Sequence, residues 1–489
     1  MSHSTLPESR SARILRLFGP PPANWVRETD ADHDVVVVGG GQAGLGIGFA
    51  LRRAGVRRFT VIDAAGPDGT GAWTTIARMR TLRTPKAWPE PEFGFPELSF
   101  RAWYEQHHGD RAYLALDRIP RLDWAAYLRW IADTIDVPVR HRTRLVRIAP
   151  AGEGLALTLQ ITTADGARTE TVETTRQIVL ANGVEGTGGP HLPAALTGLP
   201  SSLVAHTGTS IDFTALAGRQ VAVLGAGASA LDAAGSALEG GADEVHLFVR
   251  RDELIVQGPG GFPLGNLGAR ENFHRRSDAD RWQLKVAAVR AGRSCTLESV
   301  QRAAAFPGFH VHLAQPWLDA SVEGGRIRGR TANGAHDVDV VIAGTGYQYD
   351  PHTRTELQAI APEIALWRDV YQPPNDLTDD ELGRWPYLGP GYEFVERRPG
   401  RAPWLGRIRV FSAAAALSFG IPVGDVTSLA TGIPRLVDAI GRDLFFEDQA
   451  QPVAGPTPPP RVSFRQHYAH AIRPAHADAD AGLVDAGRR

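Results

Sequence analysis

Two stretches of this chain carry residue types and spacings that do chemistry: "VVVVGGGQAGLG" at 35–46 and "VAVLGAGASALD" at 221–232. Each runs from an apolar strand into a glycine turn and then into a helix. A turn of that kind offers free backbone N–H groups at a helix start, where the positive end of the helix dipole receives phosphate. In the first, Gly39 allows the tight turn, Gly41 lets a pyrophosphate reach the backbone, and Gly44 lets helix pack on strand. Gln42 and Ala43 supply the first N–H groups of that helix. In the second, Gly225 and Gly227 take the same roles, Ala228 and Ser229 open the helix, and Ala230 is the third small residue. A glycine turn alone is a weak signal. A strand before it, a helix after it and a second strand at the right distance raise both.

The two turns differ in the residue that ends the following strand. Asp63 lies 24 positions after Gly39. A carboxylate there accepts hydrogen bonds from both ribose hydroxyls and repels a 2′-phosphate. Arg250 lies 25 positions after Gly225, with Arg251 beside it. A guanidinium cannot accept those bonds but pairs with a 2′-phosphate through two parallel N–H groups. The first site therefore suits an unphosphorylated ribose such as that of FAD, and the second suits NADPH. The plain alternative for Arg250 and Arg251 is a pair of solvated surface arginines.

The elements that must hold these turns are legible in outline. Residues 1–33 read as a loosely ordered arm. Asp34–Val38 and "FTVID" at 59–63 read as strands, joined by a helix whose Ile47, Ala50, Leu51 and Ala54 share one face and which Gly55 ends. Residues 64–145 are rich in aromatic residues and proline, with a helix near "DWAAYLRWIADTI". Alternating strands follow at "LALTLQITT" and "TETVETTRQIVLANG". The pattern restarts at 219 with strands "RQVAVLG" and "EVHLFVRR" and a later strand, "DVDVVIAGTG" at 337–346. A helix is expected over about 426–446, and a Pro-, Ala- and Asp-rich tail after Asp448 reads as disordered.

Composition excludes several classes. A length of 489 residues needs two or three lobes. A net charge of −2 leaves no electrostatic footprint for nucleic acid or an anionic membrane surface. The longest apolar stretch, "FSAAAALSFGIPVG" at 411–424, is too short and too broken to span a bilayer, and the first residues lack a signal-peptide core. A cytoplasmic protein is expected, and nothing in the sequence argues against assembly of identical copies. The lone Cys295 excludes dithiol chemistry within the chain, and a buried structural thiol is the plain reading of it. "HYAHAIRPAH" sets His467, His470 and His476 near one another, but in a proline-led tail that supports no metal site.

With both turns placed, residues 34 to 446 resemble the two-dinucleotide flavoproteins, and within them the class B flavin monooxygenases. That group comprises flavin-containing, Baeyer–Villiger and amino-acid N-hydroxylating enzymes. "GTGAW" at 69–73 is similar to the family's glycine–tryptophan segment, "VLANGVEGTGGPHLP" at 179–193 to its interlobe crossing, and "DVDVVIAGTGY" at 337–347 to the strand closing its FAD lobe. The resemblance implies an α/β fold of two Rossmann-like dinucleotide-binding domains, the NADPH domain (205–336) inserted into the FAD domain (34–204 and 337–448). It places Trp73, Gly346 and Asp425 at the cofactor and His206 at the lobe junction.

The Baeyer–Villiger fingerprint is degenerate around His206, with Pro200, Ser202 and Ser210 at its three other places. "TLRTPK" at 81–86 sets Arg83 where flavin-containing monooxygenases carry a flavin-facing asparagine, so Arg83 is the catalytic candidate, with Lys86 placed to orient Arg83 or a phosphate. The implied activity is transfer of one oxygen atom from O2, through a C4a-(hydro)peroxyflavin, to a small nucleophilic substrate. N-hydroxylation of an amine or amino acid is the expected form. An NAD(P)H oxidase or reductase passing electrons to oxygen, a quinone or a partner protein is the alternative.

Overall fold

The computed structural model describes residues 10–17, 19–88, 93–257, 267–449 and 461–473. The first strand, His33–Val38, carries four consecutive valines, and residues 34–37 are fully buried. A strand covered on both faces reads as a continuous β-branched run because it lies inside a parallel sheet. Phe59–Ile62 pairs with it in parallel on one side, and the end of Arg168–Leu180 pairs on the other, with Val38 level with both Ile62 and Leu180. Val139–Arg140 extends the sheet beyond Phe59–Ile62, and Ile408–Val410 pairs in parallel with residues 178–180. The first half of Arg168–Leu180 turns instead to an antiparallel meander with Gly154–Thr162 and Thr143–Ala151. There Leu155, Leu157 and Leu159 are buried and alternate with half-exposed neighbours, as a one-sided strand requires.

The second sheet repeats the arrangement. Its order is Phe309–His312, Glu244–Phe248, Gln220–Leu224, Val340–Ala343 and Val204–His206, all parallel. In both sheets the strand that feeds the glycine turn is central, and the strand that leads to Asp63 or to Arg250 is next to it. Gln42–Arg53 and Ala228–Glu239 are the helices that follow the turns.

Two expectations change here. The apolar run at 337–346 does not close the first sheet: it breaks at Asp339, and Val340–Ala343 lies between Gln220–Leu224 and Val204–His206 in the second. The arm at 1–33 is not loose over its described length. Arg10–Leu17 is helical, Val26 is buried, and the Trp25 indole donates to the Ala54 carbonyl at the end of the first turn's helix. The last helix runs Leu429–Gln449 with Pro434 inside it. Of the tail, residues 450–460 and 474–489 lie outside the described residues, and Phe464–His467 forms one helical turn capped by Ser463.

The largest apolar cluster joins the first sheet to the aromatic segment and to residues 349–444. Trp282 and Val286 belong to that cluster, although their helix, Asp278–Ala291, falls between strands of the second sheet in sequence. Two smaller clusters cover the two faces of the second sheet. No helix among the described residues is long and apolar enough to cross a membrane.

Candidate functional site

The first turn is built so that only glycine fits where packing is closest. Gly39 has φ +110°, and a Cβ there would sit 2.4 Å from the Ala181 carbonyl oxygen. A Cβ on Gly44 would sit 1.8 Å from the Gly39 carbonyl oxygen. Gly41 is different: the nearest atom to a Cβ there is the Gly71 Cα, 3.6 Å away, so the space in front of it is open. Gly41 caps Gln42–Arg53 without any side-chain bond to the helix's first N–H groups. An open cradle before an uncapped helix start fits a pyrophosphate. The Asp63 carboxylate is fixed beside it, accepting from Gly40 N at 2.7 Å and Ala65 N at 2.8 Å.

Gln42 ties distant segments to this turn. Its Oε1 accepts from the indole N–H groups of Trp73 and Trp124, each at 3.3 Å, and its Nε2 donates to the Gly424 carbonyl at 3.0 Å. Trp73 packs edge-on against Trp124. Ala43 is buried next to Gly424. Asp425 follows Gly424, its surface still partly open to solvent although packed among neighbouring groups. Burial there pushes its carboxyl above the ordinary range, opposed by hydrogen bonds from Thr427 and Ser428 and by the Arg270 guanidinium. Thus Gly41, Gln42, Ala43, Trp73 and Asp425 converge on one end of one sheet.

The second turn repeats the design. Gly225 has φ +143° and a Cβ there would lie 2.3 Å from the Gly344 carbonyl oxygen, while Ala230 packs against Gly344 and leaves no room for a larger side chain. Gly227 caps Ala228–Glu239 with no side-chain bond, Ala228 is buried and Ser229 is exposed. Arg250 and Arg251, equivalent in the sequence, are not equivalent in space. Arg251 donates to the carbonyls of Ala291 (2.9 Å) and Arg290 (3.0 Å), closing the C-terminus of Asp278–Ala291. Arg250 is exposed and has no partner among the described residues. Gly346 has φ +85°, and its carbonyl accepts from His206 Nε2 (3.0 Å) and His191 N. His206 Nδ1 accepts from Gly208 N, and burial lowers the imidazole pKa, so a neutral ring with both nitrogens occupied sits there.

Arg83 does not stand free to meet a substrate. Its guanidinium forms a 2.6 Å ion pair with Asp232, the last residue of "VAVLGAGASALD", whose other oxygen accepts from Ser299 Oγ at 2.7 Å. Lys86 does not support Arg83: its ammonium donates to the carbonyls of Tyr113, Leu114 and Leu116 at the end of helix Asp110–Ala115. Arg83 belongs to a lacing between residues 76–83 and the second unit. Arg78 donates to the Thr207 and Thr209 carbonyls, Arg80 pairs with Glu239, and Arg302 pairs with Glu239 and donates to the Arg78 carbonyl.

Arg83→Ala is therefore expected to lower the unfolding free energy by about 2–3 kcal/mol, less than a fully buried pair because Arg83 is 27% exposed. Arg83→Ala/Asp232→Asn recovers part of that loss in a denaturant titration. Reductant consumption uncoupled from product, with stability unchanged, would restore the catalytic role.

Cys295 is fully buried and its thiol is pushed up by burial, as a structural cysteine should be. His476 lies outside the described residues, and among those described no group of three or more His, Cys, Asp or Glu is placed to hold a metal.

Residues 36–258 match the family described as pyridine nucleotide-disulphide oxidoreductase. With one cysteine in the chain, the disulfide half of that description has no counterpart here. The chain is 39% identical over 434 residues, 87% of its length and 89% of the relative's, to an FAD-dependent urate hydroxylase of Xanthomonas campestris pv. campestris. The ornithine hydroxylase of Pseudomonas aeruginosa superposes with a TM-score of 0.66 at 18% identity, covering 84% of this chain and 99% of that one. The ornithine N-hydroxylase of Kutzneria sp. 744 gives 0.65 at 19% over the same shares. These two likenesses establish the fold. Two uncapped glycine turns, a fixed Asp63 and close identity along most of the chain lead to one assignment. The chain belongs to the class B flavin monooxygenases and is an FAD-dependent oxidoreductase of the hydroxylase type.

Proposed function

We propose that the protein is an NADPH- and FAD-dependent monooxygenase that hydroxylates urate or a closely similar heterocycle. The first turn would hold FAD and the second NADPH, in an FAD domain that the NADPH domain interrupts. The observation that carries the substrate is the 39% identity to a urate hydroxylase across nearly the whole of both chains. The N-hydroxylation of an amine expected from the sequence has support from fold alone, since the ornithine hydroxylases are 18–19% identical. The choice of NADPH rests on Arg250, a guanidinium without a partner among the described residues, just beyond the strand Glu244–Phe248 and beside an uncapped turn.

When bound, FAD would accept hydride and activate dioxygen; the protein's share is positioning and exclusion of water. Gln42 and Trp73 shape the bed beside the first turn, and the 423–428 segment covers it.

The test is direct. In air, urate should stimulate NADPH consumption by the holoenzyme at least about tenfold over the substrate-free rate, with one O2 consumed per urate lost. Ornithine and lysine should not. Stimulation by the amino acids and not by urate would replace this reading with N-hydroxylation.

A further inference from the structure

One group of side chains, reaching from the second glycine turn to Trp385, carries two positive charges with no ion-pair partner among the described residues. Lys285 stands on Asp278–Ala291, and Arg293 follows two residues beyond that helix. Neither makes a hydrogen bond or ion pair with another described residue. The Lys285 ammonium is half-buried, 4.6 Å from the centre of the Trp385 ring. Trp385 meets Tyr349 edge-on, with ring centroids 4.6 Å apart. Its indole N–H is buried without a partner, and the Tyr349 hydroxyl bonds no described residue.

The position of this group is as informative as its composition. The helix bearing Lys285 packs through Trp282 and Val286 into the core of the first sheet. Arg293 lies at the other turn, its Cβ 3.7 Å from where a Cβ on Gly227 would be. The two cations therefore stand on the seam between the bodies that carry the two turns. Two like charges that act on one another, neither with an ion-pair partner among the described residues, cost free energy, which a bound anion would offset. Burial, and secondarily the repulsion of Arg293, pulls the Lys285 ammonium down to about 8. Of the groups that act on Tyr349, Arg293 is positive, while Glu381 and Tyr347 oppose its ionisation.

We propose that Lys285, with Arg293 beside it and Trp385 holding the ammonium in place, binds the negative charge of the oxidised substrate, making this an enzyme for an anionic heterocycle or carboxylate rather than for a neutral amine. This inference rests on the urate reading above and deepens it. A dinucleotide phosphate has the same anion chemistry, and the experiment separates the two sources.

Holoenzyme carrying Lys285→Met or Lys285→Arg is titrated with urate by its flavin absorbance, and separately with NADP+. Lys285→Met should weaken urate by about tenfold or more, while the NADP+ Kd stays within about twofold and Lys285→Arg keeps most of the urate affinity. In the wild type, urate affinity should fall as pH rises through about 8, where Lys285 loses its proton, and Lys285→Arg should abolish that fall. Unchanged urate affinity in Lys285→Met overturns the proposal, and so does a matching loss of NADP+, which would assign the cations to the dinucleotide. Flavin content and melting temperature check each variant's fold, and Lys285→Gln replaces Lys285→Met if that variant is unstable.

A wild-type protein that ignores urate overturns urate as the substrate and leaves the anion site to be tested by itself. Orotate, a flat anion, is then compared with neutral uracil. A Lys285-dependent preference for orotate upholds the anion site, and equal binding overturns it.

Discussion

Gly44→Ala is expected to purify without flavin. The added methyl carbon would lie 1.8 Å from the Gly39 carbonyl oxygen; its direction is fixed by the helix backbone, and the oxygen belongs to backbone that cannot rotate aside. The helix Gln42–Arg53 would have to lift off the strand His33–Val38, carrying its N–H groups away from any pyrophosphate. Overpacking of this kind costs about 1–3 kcal/mol in ordinary cores, and here it adds to the lost cofactor, whose binding stabilises the fold by mass action.

Gly41→Ala provides the contrast. Gly41 has φ −70° and ψ −171°, which alanine adopts freely, and a Cβ there meets nothing closer than 3.6 Å. Flavin-free Gly41→Ala should melt within a few degrees of flavin-free wild type, yet bind FAD about tenfold or more weakly, because its methyl fills space reserved for phosphate. Normal FAD affinity in Gly41→Ala would mean that the pyrophosphate does not approach this turn.

The second large effect separates two adjacent arginines. Arg250→Ala should raise the NADPH half-saturation by about 30- to 100-fold, the worth of a charge-assisted contact of about 2–3 kcal/mol, and leave NADH within about twofold. Arg251→Ala should do the reverse. It removes the closure of the Asp278–Ala291 carbonyls, costing about 0.5–1 kcal/mol of stability, and leaves the preference for NADPH over NADH where it was. Equal losses of NADPH and NADH in Arg250→Ala would place the 2′-phosphate elsewhere.

What could be read in the sequence follows a physical line. The glycine turns, Asp63 and the helix faces were legible because short-range geometry determines them: a Cβ at Gly39 or Gly44 collides within the same strand–turn–helix unit or its neighbour. The placement of 340–343 was not, because an apolar parallel strand looks the same whichever sheet it enters. Arg83 was legible as a charged residue near chemistry but not as the partner of Asp232, 149 positions away. Arg270 and Arg281 are buried, and Arg281 pairs with Asp278 and Tyr387, contacts that no local pattern announces. Lys285 gave no signal at all. A single lysine on a helix of mixed polarity acquires meaning only when Trp385, a hundred residues on, is brought beside it.

The lacing of residues 76–83 onto the second unit has a consequence for how such enzymes can be recombined. A chimera that exchanges residues 205–336 for those of a relative with another coenzyme preference would strand Arg78, Arg80 and Arg83 opposite foreign surfaces. The second sheet with its helices is not a cassette with clean ends. A short arginine-rich strap from outside it holds its surface, and grafts that carry residues 76–83 along should fold where grafts cut at the strand boundaries fail.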